Sequence, residues 1–207
     1  MTCRIALRAP LALLLLLSPL VRGDDPPAPV KVTVTVDTTR SPESAEWAAK
    51  AKTLVEEWYP KLCALLPSDG FTPPDHVTLR FQPMRGVAGT ARTNIAISAQ
   101  WIKDHPDDFG MVIHEICHVV QAYPRNDAGW LVEGIADYIR CFQFEPDAPR
   151  PPINPDRASY KDAYKTTAAF LDWIVRTYDR DLVVKLNRAL RAILAFEPST
   201  RTRIMSS

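Results

Sequence analysis

Valine and threonine alternate over residues 30–36, a two-residue period that predicts a strand with one face against a core. The period then changes. Ser41, Pro42 and Glu43 predict a helix start, with Ser41 as cap and Pro42 in the first turn. Trp47, Ala51, Leu54, Val55, Trp58, Leu62 and Leu65 follow at helical spacing. Val77, Leu79 and Phe81 restore strand alternation over His76–Gln82, and Ile95 and Ile97 repeat it over Asn94–Ser98, beyond a loop holding Gly86 and Gly89. From residue 106 the apolar positions become helical again, over residues 106–123, 129–144, 159–178 and 181–195. The proline-rich stretch 146–155 cannot be helical and predicts a surface loop. Strands first and helices afterwards describe an α+β fold, and 207 residues at 46% hydrophobic content suit one core.

The amino terminus reads differently. Arg4 and Arg8 precede an apolar run from Leu11 to Leu17, and Val21, Arg22 and Gly23 supply a cleavage site, which together predict a secretory signal peptide over residues 1–23. The run stops at Ser18 and Pro19, short of the roughly 20 apolar residues a bilayer span requires, so no stable membrane anchor is expected after cleavage. Residues 24–29 read as a stiff proline linker, residues 30–197 as the folded domain and residues 198–207 as a tail. Loss of Arg4, Arg8 and Arg22 leaves 22 basic against 24 acidic residues. Charges so balanced and so evenly spread argue against a nucleic-acid partner, which would require clustered Lys and Arg. Cys63, Cys117 and Cys141 remain, so one internal disulfide is the most that can form. Cys117 with Cys141 is the favoured pair, against the alternative of buried free thiols, and neither spacing matches a zinc finger.

The chemistry gathers in residues 109–123, which are apolar nearly all round and therefore predict a buried helix. Three of its polar residues are His114, Glu115 and His118. Burying such groups without partners costs several kcal/mol, and a divalent ion carrying a water would satisfy them. Residues four apart share one helix face, so both imidazoles can reach a single ion. Glu115, turned about 100° from His114, can then face the ion's water as a general base. A chance match in a helix of hydrogen-bonded histidines is the competing explanation of so short a pattern.

Zinc in a catalytic site takes three protein ligands and leaves one position open. The longer metzincin pattern would place Gly at 121 and His or Asp at 124, where this chain has Gln121 and Pro124. A Glu from the next helix is the other arrangement, and Glu133 lies in a second apolar helical stretch. Its alternative role is a buried ion pair with an Arg such as Arg140. Asp137, one turn after Glu133, is placed to bond the outer nitrogen of a ligating histidine. Gly134 would let the two helices approach closely. His76 and His105, outside the pattern, read as surface histidines.

These residues resemble the basic secretory protein family of plants and bacteria, whose members look like gluzincin-type metallopeptidases. The likeness runs through residues 94–98, 114–121, 133–138 and 164–171 in order, and extends from about Val32 to Leu194. It implies a zincin-like fold, with a small mixed β-sheet packed on the active-site helix and a mainly helical C-terminal half closing the cleft. It further implies that Asn94–Ser98 borders the cleft, where an extended peptide or protein substrate could add as a strand. The slightly negative mature charge departs from the family's name.

The expected activity is peptide hydrolysis by a secreted zinc enzyme, with Zn2+ held by His114, His118 and Glu133 and with Glu115 as base. A donor for the developing oxyanion is expected from Tyr160 or Tyr164, with Tyr164 favoured because it falls in a family-like segment. Two other classes remain open. One is an inactive secreted zinc-binding or interaction protein of the same fold, which Glu115 argues against. The other is a binding module for polysaccharide or protein.

Overall fold

The computed structural model of the chain describes residues 30–124, 128–150 and 152–192. The leader, the linker and the tail lie outside the described residues. No described helix is long and apolar enough to cross a membrane.

The chain enters through β1 (Thr33–Asp37), passes a short 3-10 turn at Pro42–Ser44 and runs along α1 (Ala45–Leu65) to β2 (His76–Gln82). A hairpin of β3 (Ala88–Ala91) and β4 (Asn94–Ser98) follows, then the short α2 (Ala99–Asp104). The rest is helical: α3 (Gly110–Gln121), α4 (Gly129–Tyr138), α5 (Tyr164–Thr177) and α6 (Leu182–Ala192). The sheet order is β1-β2-β4-β3, with β1, β2 and β4 parallel and β3 antiparallel to β4. The result is an α+β fold on a small mixed sheet.

Apolar alternation accounts for the central strands, since Val77, Leu79, Phe81, Ile95 and Ile97 are all fully buried. β3 has no such signal. Its sequence is Ala-Gly-Thr-Ala, and only pairing with β4 makes it a strand. The hairpin turns over Arg92, a non-glycine residue held left-handed at φ 58°. β4 therefore lies between β2 and β3 with both edges paired, and cannot accept a substrate strand. The expectation that Asn94–Ser98 is the receiving edge is corrected by this topology: the outer strands among the described residues are β1 and β3, and β3 is the one that borders the cleft.

One core unites the layers. α1 contacts β1 and β2, α3 contacts β3, and the two helices pack on each other. Trp47 stacks on Phe109 at 4.6 Å, locking the start of α1 to the entry of α3. Ser41 does not cap α1; its hydroxyl bonds Ser44 and Glu43, and the helix proper starts after the 3-10 turn. The expected helix over 129–144 changes form at Ile139, where it widens to a π-helix as far as Phe144. The next helix starts at Tyr164, later than residue 159, because Ala163 and Tyr164 both hold positive φ, 61° and 45°.

Gly134 does permit a close approach, but to α5 and not to α3. A Cβ built there would stand 2.2 Å from Thr167 Cγ2, and Thr167 is fully buried with a stiff β-branched side chain. Gly134→Ala is accordingly expected to destabilise the fold by about 1–2 kcal/mol, since strain of about 1–3 kcal/mol outweighs the helix-propensity gain of about 1. Thermal unfolding checks this. Thr167→Ser, which removes the opposing methyl but keeps a Cβ 2.7 Å from the added carbon, should recover part of the loss when combined with it.

Candidate metal centre

α3 is buried along its whole length apart from half-buried His118, so its polar side chains must find partners inside the protein. His114 and Glu115 are 8% and 7% exposed. α4 lies beside α3 and turns Glu133 and Asp137 toward the same place. His114 Nε2 stands 3.1 Å from His118 Nε2 and 3.1 Å from Glu133 Oε2, and His118 Nε2 stands 3.4 Å from the same carboxylate oxygen. A four-coordinate ion bound at about 2.0–2.1 Å would hold its nitrogen and oxygen ligands about 3.3 Å apart. The His114, His118 and Glu133 group could therefore hold a metal ion with little rearrangement.

Each imidazole is also fixed from behind. His114 Nδ1 pairs with Asp137 Oδ1 at 2.7 Å, the contact expected of Asp137 from its spacing. His118 Nδ1 pairs with Gln121 Oε1 at 2.7 Å, and the Gln121 amide donates to the Val132 carbonyl at 2.9 Å. With both Nδ1 atoms engaged, both Nε2 atoms point at the shared position. Burial pulls the His114 pKa down, yet hydrogen bonds to Asp137 and Glu133 outweigh it and raise the pKa to about 9. Burial raises the Glu133 pKa, while its bonds to His114 and His118 bring it down to about 2. Glu133 thus stays ionised at neutral pH beside the two imidazoles.

Arg140 does not pair with Glu133. It reaches Asp108 at 2.6 Å and Glu145 at 3.6 Å, an ion-pair cluster that ties the π-helical segment to the entry of α3. The favoured Cys117–Cys141 bridge is also corrected, because Cys63, Cys117 and Cys141 are all free. Lying on helices that both carry site residues does not bring two sulfurs to bonding geometry. Burial pushes the Cys117 thiol well above its ordinary pKa and the Cys63 thiol to about 11, so both stay protonated.

The cluster opens into a cleft of about 1120 Å3, bordered by β3 on one side and by residues 162–166 on another. Tyr164 lines it, its ring near-parallel to that of His114 at 6.1 Å between centroids. Glu133 and burial together raise the Tyr164 pKa, which keeps its hydroxyl a donor at neutral pH. Tyr160 packs instead on Trp130 and Phe170 and does not line the cleft. His76 and His105 are exposed and take no part.

Two contacts at the site were not anticipated. Gln121 holds His118, and its three-residue spacing from that histidine was the available signal. Thr90 donates from β3 to Glu115 Oε2 at 2.6 Å, and nothing local in the sequence connects positions 25 apart.

An α+β fold that gathers a His-His-Glu group beside an internal carboxylate, at the floor of an open cleft, defines a candidate metal-binding site. Residues 34–204 match the family model BSP, described as "Peptidase of plants and bacteria", and the chain belongs to that family. Its substrates are accordingly peptides or proteins. Comparison with curated proteins and with solved structures found no match.

Proposed function

We propose that this chain is a secreted zinc metallopeptidase with a zincin-like arrangement of gluzincin type. The observation carrying the reading is the convergence of His114 Nε2, His118 Nε2 and Glu133 Oε2 at 3.1–3.4 Å, with Glu115 beside them and outside the ligand set. Two imidazoles and one carboxylate are a donor set suited to zinc, and three protein ligands leave the open position that catalysis requires. When bound, zinc acts as a Lewis acid that brings the pKa of water toward neutrality.

Asp137 and Gln121 hold the two histidines in the tautomer that turns Nε2 inward. Glu115 takes the proton as the attacking water's O–H bond breaks and its oxygen joins the peptide carbonyl carbon. The same carboxyl then passes that proton to the leaving nitrogen as the C–N bond breaks, so the net change is peptide plus water to carboxylic acid plus amine. Tyr164 is the proposed donor to the developing oxyanion, since it lines the cleft and keeps its hydroxyl proton. Backbone in unfavourable φ at Ala163 and Tyr164 supports a role there, because such strain persists where function requires a fixed direction. An extended substrate would add to β3, whose outer edge has no strand partner among the described residues.

The leader of residues 1–23 supports export, with Asp24 near the mature start. Protein recovered from the exported fraction should begin near Asp24, carry one zinc per chain and cleave an unstructured protein. Chelation should abolish cleavage and added zinc should restore it. Cleavage that persists in fully metal-free protein would refute the proposal.

A further inference from the structure

The Thr90 hydroxyl donates to Glu115 Oε2 at 2.6 Å and stands 3.1 Å from the Glu115 main-chain oxygen. Among the described residues no other group donates to that carboxylate. Glu115 lines the cleft, and its Oε1 receives no donor among the described residues. The last torsion of a glutamate side chain is broad and roughly two-fold, so burial alone does not select an orientation for its carboxylate plane. A hydrogen bond to one oxygen does.

Thr90 is suited to that task by both its strand and its side chain. In β3, Ala88 and Thr90 are half-buried while Gly89 and Ala91 are exposed, so strand alternation turns Thr90 toward α3. Its backbone pairs with Ile95, which is fully buried, and this pins the strand at that position. A β-branched residue has restricted χ1 freedom, so a pinned backbone gives a pinned hydroxyl.

We infer that Thr90 is a positioning residue: its hydroxyl anchors Glu115 Oε2 and thereby presents Oε1 to the attacking water. The inference rests on the proposed hydrolysis. It also couples two parts of that reading, since β3 is both the strand offered to substrate and the strand that holds the base. A peptide bound along β3 and the Glu115 carboxyl would share one rigid reference.

Thr90→Val keeps the shape and removes the hydroxyl, whereas Thr90→Ser keeps the hydroxyl. In zinc-loaded protein Thr90→Val should lower kcat by about 10- to 100-fold, up to the cost of a catalytic group misplaced by about 1 Å, with KM within about twofold and one zinc retained. Thr90→Ser should restore kcat. Crystal structures of both zinc-loaded variants supply a readout independent of turnover: the Glu115 carboxyl plane should be rotated or split in the valine variant and unchanged in the serine variant. An inactive wild-type protein would defeat the proposed function, and the carboxyl orientation would still judge Thr90. Wild-type kcat in Thr90→Val, failure of Thr90→Ser to restore it, or an unmoved carboxyl without the hydroxyl would each overturn the inference.

Discussion

Glu115→Gln is expected to reduce kcat for peptide hydrolysis by about 10²–10⁴-fold, the range general base catalysis supplies, while one zinc stays bound per chain. The separation of the two readouts follows from the site's geometry. Glu115 is not among the three residues whose donor atoms converge, so its replacement leaves the ligand set intact. Glutamine has nearly the same volume and still offers an oxygen to the Thr90 hydroxyl, so packing on β3 is preserved. What disappears is the capacity to accept a proton and return it. Steady-state kinetics on a quenched fluorescent peptide, with metal content measured on the same sample, tests both halves. A variant with wild-type kcat would mean the base is another group. A variant that loses zinc would mean Glu115 is a ligand.

Glu133→Ala is expected to have the opposite signature, losing the metal first and the activity in consequence. Outer partners such as Asp137 typically contribute 10- to 100-fold to metal affinity, so removal of a direct ligand should weaken binding by more than about 100-fold. The imidazoles would be left without the carboxylate that stands 3.1 and 3.4 Å from them. Competition with a chromophoric chelator measures the affinity directly. Thermal unfolding gives a second check: zinc at about 100 times its dissociation constant should stabilise the wild-type protein by about 2.7 kcal/mol, and the variant should show little zinc-dependent shift. Full zinc occupancy in Glu133→Ala would remove Glu133 from the ligand set and with it the gluzincin arrangement. Together the two variants distinguish a working peptidase from a protein that only binds zinc.

His114 and His118 were readable as a pair because four residues on a helix return to the same face, and their Nε2 atoms indeed lie 3.1 Å apart. Glu133 and Asp137 were readable for the same reason, each standing out in an apolar stretch, and both contact His114. β2 and β4 were legible in their alternation. β3 was not, because Ala-Gly-Thr-Ala has small side chains and acquires strand form only from its partner. The start of α5 was displaced by two positive-φ residues, Ala163 and Tyr164, that no periodicity records.

By itself the chain's sequence determined the alternating strands and the main helices, the α+β class and the side chains able to meet a cation, because these depend on periods of two and of about four residues along one element. Tertiary structure decided which strand is the edge, which carboxylate Arg140 pairs with, whether the thiols join and what holds Glu115. Those outcomes depend on where separate elements come to rest, and a hydrogen bond between residues 90 and 115 leaves no trace in local pattern. Packing between elements is a property of the folded core as a whole, in which a shift of one residue moves every side chain to a new neighbour.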